Sequence, residues 1–277
     1  YEIKERILDT EVPVIKFSHL TDEQKYFIFT VYNSNVVPLN AAEIRNSVYH
    51  KHPVHRAMML LADEFEDVDK IFLPTDSIDQ QTIDIFQSSL KSLIGGRNGP
   101  RRLAVADFLE RYCAYSLPAS ELNQNGILVR KSAAAHIQQL MIMTSDWEES
   151  KVADLCEEII DAFLFCNQVF PEFGIDPFHS LNKNGNSLLH KVKCVASMNA
   201  AAIILALQDA DDDEKWIESV ILGIKGCLDE VPEKQTGKTV WDYHLRVTRT
   251  LFDAAKKRKI KVGKLCAGRF NELLNAV

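Results

Sequence analysis

Three histidines fall within six residues, at His50, His52 and His55, and imidazoles are the side chains most often used to hold a transition metal or carry a proton. Their surroundings argue against a metal. Lys51 adds like charge, Pro53 interrupts a helix that would bring the rings to one face, and no cysteine or aspartate cluster completes a ligand set, so the stretch reads as a solvated loop. His190 and Cys194 stand four residues apart and share a helix face, a spacing that suits a nucleophile and its base. Without a third group to orient the ring they read as a core pair. Residues 95–102 bring Gly95, Gly96 and Gly99 together with Arg97, Arg101 and Arg102. Loop amides and guanidinium groups suit an anion, but the plainer reading is a turn that ends a helix. No G-x-x-x-x-G-K-[ST], G-x-G-x-x-G or G-x-S-x-G stretch occurs anywhere in the chain, so the usual glycine cradles for phosphate and the nucleophile elbow are missing.

A basic run is more informative. Residues 256–269 contain Lys256, Lys257, Arg258, Lys259, Lys261, Lys264 and Arg269 and no acid, in a chain that is acidic as a whole. Such a block attracts phosphates by charge alone, giving salt-sensitive binding to nucleic acid without sequence choice. A solvated surface is the stronger of the two readings.

The elements that must position these groups follow from composition and period. The chain has 277 residues, 46% hydrophobic and 26% charged, with 39 acidic against 32 basic side chains and a formal charge of −7. That balance fits a soluble globular protein of one large or two smaller domains. With 11 Gly and 9 Pro, about 7% against an average near 12%, turns are few and the segments between them long. Extended all-β folds, collagen-like repeats and flexible linkers are disfavoured, and the expected fold is mainly α. Six cysteines lie far apart with no C-x-x-C pair and read as reduced core thiols, which implies a reducing compartment, cytoplasmic or nuclear. No signal peptide is visible, and the longest near-apolar run, residues 200–207, is far shorter than the roughly 20 residues of a membrane span. Because the first residue is Tyr1, the expectation is a chain cut from a longer product.

Val12, Val14 and Phe17 around Pro13 suit one or two short strands over residues 1–18. After them the period becomes helical. Thr21 with Gln24, Asn40 with Glu43, Ser77 with Gln80 and Ser145 with Glu148 each place a capping side chain three residues before a Glu or Gln, ahead of a helix. Further helices are expected at about 101–117, 127–143, 187–208, 213–229 and 240–258, with a short one near 268–276, and loops at 95–100, 171–185 and 232–238. The acidic run at Asp211, Asp212, Asp213 and Glu214 suits the first turn of a helix, where negative charge meets the positive end of the dipole.

Residues 29–46 then show a specific pattern. Phe29, Asn33, Ser34, Pro38, Leu39, Glu43, Ile44, Arg45 and Asn46 match F-x-x-x-N-[ST]-x-G-x-P-L-x-x-x-E-[IL]-R-N, and the segment resembles that of the GmrSD-type, ParB-like proteins of prokaryotic phage defence, which carry a DGQQR motif. Weaker matches follow in the same order: Arg111 to Tyr115, Phe178 to Leu189, and Thr236 to Val240 with Arg246. Val36 departs from the pattern, standing where the family usually has Gly.

The resemblance covers roughly residues 1–255 and corresponds to the family's C-terminal helical half. It implies that residues 1–18 end a ParB/sulfiredoxin-like αβ domain and that residues 19–277 form a helical domain, with a possible sub-boundary near 171–186 and a basic tail at 256–269. It further implies that nucleotide hydrolysis belongs to an N-terminal DGQQR domain, sometimes coupled to an HNH nuclease domain. Asp79-Gln80-Gln81-Thr82 imitates part of DGQQR but lacks its Gly and Arg, and reads as a helix start. On this view the chain is non-catalytic alone and needs no cofactor of its own, although a nucleoside triphosphate fits the longer protein. It completes or regulates a nucleotide or nucleic-acid site together with the missing ParB-like domain or a partner chain. DNA is met through Lys256–Lys264, and no membrane is involved. Asn33, Ser34, Asn40, Glu43, Arg45 and Asn46 either reach a phosphate or base, or join two domains by buried polar contacts. The alternative function is a non-enzymatic helical module that binds another protein.

Overall fold

The computed structural model describes residues 18–21, 24–25, 27–28, 31, 40–64, 78–95, 103–115, 132–181, 187–265 and 267. The strands expected within residues 1–18, the loop holding Asn33, Ser34 and Val36, the Gly96–Arg102 anion loop, Ser77 and the helix near 268–276 lie outside these residues or nearly so. Among the described residues helices dominate, as the scarcity of Gly and Pro requires.

Nine helices are described. The first is α1 (Ala41–Tyr49), followed by α2 (Pro53–Leu61), α3 (Gln80–Gly95), α4 (Ala104–Tyr115), α5 (Ala133–Met143) and α6 (Glu149–Gln168). A 3-10 turn (Phe170–Phe173) and a two-stranded antiparallel hairpin, β1 (His179–Leu181) and β2 (Ser187–Leu189), lead into α7 (Lys191–Ala210), α8 (Glu214–Asp229) and α9 (Gly237–Arg258). The hairpin pairs His179 with Leu189 and Leu181 with Ser187.

Local chemistry explains the starts. Before the partly described helix at residue 24, Thr21 and Gln24 exchange bonds as their spacing predicts, with Gln24 N–H donating to Thr21 Oγ1 at 3.3 Å and Thr21 N–H to Gln24 Oε1 at 3.0 Å. Asn40 caps α1 by accepting from the Ala42 and Glu43 amides at 2.9 and 3.0 Å, while Glu43 returns a bond to the Asn40 amide. Asp79 caps α3 by accepting from the Thr82 amide and hydroxyl, so the Asp79–Thr82 stretch is a helix start.

Three expectations need correction. The stretch at His50, His52 and His55 is not a solvated loop. Pro53 is the first residue of α2, where its missing N–H would be unpaired in any case and its fixed φ suits the helix. His52 caps that helix and His55 is buried. The helix expected after Ser145 begins at Glu149, with Glu148 as N-cap, while the Ser145 hydroxyl turns back to the Ile142 carbonyl at 3.1 Å. Residues 187–189 are a strand and not the first turn of α7. His190 N–H donates to the Phe178 carbonyl at 2.9 Å, which extends the hairpin pairing up to the helix start.

The core is continuous from Ala42 to Ala267. Its centre is α7, which packs on α6, α9, α8 and α4. Small residues at Ala196, Ser197, Ala200, Ala201 and Ala202 are all buried there and let four neighbours approach one helix. By length and composition α7 alone among the described helices qualifies as a membrane span, but 78% of that window is buried inside the fold, as in a core helix. Elsewhere Phe86 of α3 meets Phe163 of α6 edge to face, centroids 5.2 Å apart, and both are essentially sealed from solvent. Burial of each such ring contributes on the order of 2–3 kcal/mol. Of the described cysteines, Cys113, Cys156, Cys166 and Cys194 are buried free thiols and Cys227 is half-buried, in line with their reading as small core residues.

Candidate functional site

Among the described residues, the largest concentration of buried charge lies where α1, α2 and α4 meet. Arg45 of α1 is 2% exposed. Its Nε donates to Glu110 Oε2 at 2.8 Å and its Nη2 to Asp107 Oδ1 at 2.5 Å, leaving Nη1 buried without a partner. The other oxygen of Glu110 accepts from His55 Nδ1 at 2.5 Å, and His55 Nε2 faces the Asn46 side-chain amide at 3.1 Å. Asp107 in turn accepts from Arg111 Nε at 2.8 Å, one turn along α4. The network is therefore a chain: Asn46, His55, Glu110, Arg45, Asp107, Arg111.

Its electrostatics are self-consistent. Burial disfavours a charged Glu110, but the hydrogen bond from His55 and the charge of Arg45 outweigh it and hold the carboxyl below its ordinary value. Burial likewise opposes ionisation of Asp107, and Arg111 and then Arg45 overcome it. Burial would also lower the Arg45 pKa, but Glu110 and Asp107 raise it above the usual guanidinium value. Each charge is held in place by its neighbours, so the geometry of one end is fixed by the other.

The last member of the chain opens to solvent. Arg111, with its side chain 34% exposed, forms part of the wall of a cleft of about 260 Å³ that also touches Tyr115, Lys191, Gln235, Thr236 and His244. Three helices begin at this cleft. Ser132 caps α5, His190 caps α7 and Thr236 caps α9, each accepting from the amide three residues on. Ser132 and Ala133, Lys191 and Val192, and Thr236 and Gly237 all line the cavity. None of the described lining residues is acidic.

Behind the cleft four rings are layered. Trp241 stacks on His136 at 5.7 Å with 5° between planes, His136 meets Tyr115 at 5.1 Å, and Tyr115 stacks on His244 at 4.7 Å. Both histidines are sealed, and no ring nitrogen of either has a hydrogen-bond partner. Burial lowers the His136 pKa to about 4, and burial together with His136 lowers that of His244 to about 3, so both rings are neutral at pH 7.

The residues singled out by sequence fall in several places. Asn40 and Glu43 are a helix cap, and Arg45 and Asn46 belong to the buried network. Lys256, Lys257, Lys259 and Lys261 are exposed at and beyond the end of α9, with no ion-pair partner among the described residues. Arg258 is committed to Asp211 and Asp213 at 2.6 and 2.8 Å and lies over the Trp216 ring, and Lys264 pairs with Asp209 at 3.3 Å. The acidic run thus caps α8 through Asp213 and also anchors Arg258. His190 and Cys194 do not form a dyad: burial pushes the thiol up to about 12, its Sγ–H faces the Phe178 carbonyl at 3.4 Å, and His190 Nδ1 is taken by the α7 cap. Among the described residues no three His, Cys, Asp or Glu side chains converge as a metal site would require, and His50, His52 and His55 face three different partners.

Sequence reasoning missed Glu110, Asp107, Lys191 and His244, and it placed His55 in a solvated loop. The signal for the cleft was present as helical spacing, with Arg111 and Tyr115 at i,i+4 and Gly237, Val240 and His244 at i,i+3,i+7, but nothing local says that these faces meet. No family model matches the chain, and no curated protein or solved structure matches it.

Proposed function

We propose that this chain is a non-catalytic helical module of a larger, GmrSD-like protein, and that it engages nucleic acid through the end of α9 while completing or regulating a site elsewhere. The observation that carries the reading is the state of the cations in an acidic molecule. Arg45, Arg111 and Arg258 are spent on internal carboxylates, whereas Lys256, Lys257, Lys259 and Lys261 stand exposed together without such partners among the described residues. Lysines in the last turn also offset the negative end of the α9 dipole, so the patch stabilises the helix whether or not it is occupied. Lys259 sits at φ 59 and closes α9 with a left-handed turn, which carries the following lysine off the helix axis and broadens the patch.

Binding of this kind depends steeply on salt. The test is fluorescence anisotropy of a labelled duplex against salt concentration, comparing the chain with Lys256→Glu/Lys257→Glu/Lys259→Glu/Lys261→Glu. The slope of log affinity on log salt should fall by about 3–4, from roughly 0.9 per neutralised phosphate, and binding of the variant should be lost at physiological salt. Equal affinity for chain and variant would refute the reading.

The second reading, a protein-binding module, is favoured by one observation. Leu181 and Leu188 of the hairpin are 74% and 54% exposed, and exposed leucines on a short hairpin suit contact with a partner. It takes precedence if the duplex does not bind at low salt.

A further inference from the structure

Helix α5 is held to the fold by little. It packs chiefly on α4. Its last turn is tied to the start of α2, where His52 Nε2 donates to the Met141 carbonyl at 2.7 Å. Its middle is pinned by His136, whose ring meets Tyr115 of α4 and stacks on Trp241 of α9. Besides that ring, only Ile137, Leu140 and Met141 of α5 are buried, whereas α7 is buried along most of its length. An element with few buried side chains can open by itself, at a lower cost than the whole fold.

The pin is an imidazole in surroundings that cannot hold its charge. His136 is sealed, and neither ring nitrogen has a hydrogen-bond partner. The groups facing it offer no counter-charge: Tyr115 from α4, Trp241 from α9 and, across Tyr115, the equally unpartnered His244. The charged side chains of the adjoining cleft, Arg111 of α4 and Lys191 of α7, are both cations. From Ala133 to Met143 α5 has no other titratable side chain. His52 donates its Nε2–H to a carbonyl whether or not its ring is charged, so that tie is indifferent to pH.

We propose that α5 is an acid-released element: when His136 takes up a proton, α5 leaves α4 and Trp241 while the helices packed around α7 stay folded. Release removes Ser132 and Ala133 from the cleft wall and uncovers the Tyr115 and Trp241 rings. The direction follows from burial, which lowers the His136 pKa to about 4, against about 6.5 for a ring in water. Between those values the released state binds one more proton than the closed one. The closed state is therefore fully favoured above about pH 6.5, and release gains up to about tenfold for each unit of pH below it, with no further gain below about pH 4.

Hydrogen exchange of the full chain, read by mass spectrometry at about pH 6.5, 5.5 and 4.5 and corrected for intrinsic amide rates, tests this. At each pH the α5 amides should exchange before those of α7, and their protection should fall by about five- to tenfold per unit. His136→Phe keeps a ring against Trp241 and should leave α5 protection unchanged over this range. Ile137→Ala is a companion variant that removes packing without removing the titrating group. It should speed α5 exchange by the same factor at every pH and keep the slope. Exchange of α5 and α7 together at every pH, α5 protection that does not vary with pH in the original chain, a pH slope that survives in His136→Phe, or a slope lost in Ile137→Ala would each overturn the proposal.

Discussion

Glu110 is the residue on which the interior polar network turns. It accepts from both Arg45 and His55 in a place sealed from water, so its loss strands a buried guanidinium. Glu110→Gln should cost about 3–5 kcal/mol, read as a lowered urea midpoint with unchanged slope; a cost under about 1 kcal/mol would show that Arg45 finds other partners. The orphaned histidines make a prediction of a different kind. Their pKa values are lowered to about 4 for His136 and about 3 for His244, by burial in both cases and by His136 as well for the second. In the unfolded chain the rings take up protons near pH 6.5. The unfolded state therefore binds more protons as the pH falls below that value, and stability that is complete above it is lost down through the folded values. At pH 5 the loss should be about 2 kcal/mol for each ring. His136→Phe/His244→Phe should flatten the difference between pH 7.5 and pH 5 in urea unfolding, and an undiminished difference would place the acid sensitivity elsewhere. Arg45 was visible in the sequence as part of a motif, but its partners were not. Asp107 and Glu110 lie more than sixty residues away on a helix whose period reads simply as amphipathic.

At the scale of elements, local chemistry carried the most. The reciprocal caps at Thr21 with Gln24 and at Asn40 with Glu43 form as their spacing predicts, because all the interacting atoms lie within four residues. Asn40→Ala should cost about 1 kcal/mol in thermal or urea unfolding, and no cost would mean that the α1 start is held by packing alone. Pro53 was misread because a proline ends a helix in most positions and begins one in a single position, N1. The choice was made by the burial of Val54, Ala57, Met58 and Leu61, which only tertiary packing reveals. Residues 187–189 took a helical reading from their apolar character. Their pairing with residues 179–181 was decided by a partner across a loop, information that a short apolar run does not hold.

For the whole molecule, the organising feature is α9. Its 22 residues span about 33 Å at 1.5 Å per residue, with the cleft at the positive end of its dipole and the exposed lysines at the negative end. The mainly helical class was legible from composition, and the lysine run from charge. The convergence of α5, α7 and α9 was not, since it depends on which helix faces pack around α7. An otherwise acidic chain thus gathers exposed lysines at one end of α9. The proposed role is engagement of nucleic acid at this end of α9, without chemistry by the chain alone. The most direct measurement follows one sample in two ways: anisotropy of a labelled duplex between about 50 and 200 mM salt, with a nucleoside triphosphate present, and chromatography of the same sample for cut DNA or released phosphate. Duplex binding should fall steeply with salt while DNA and nucleotide stay intact. Absence of binding at the lowest salt, or turnover of either molecule by the chain alone, would contradict it.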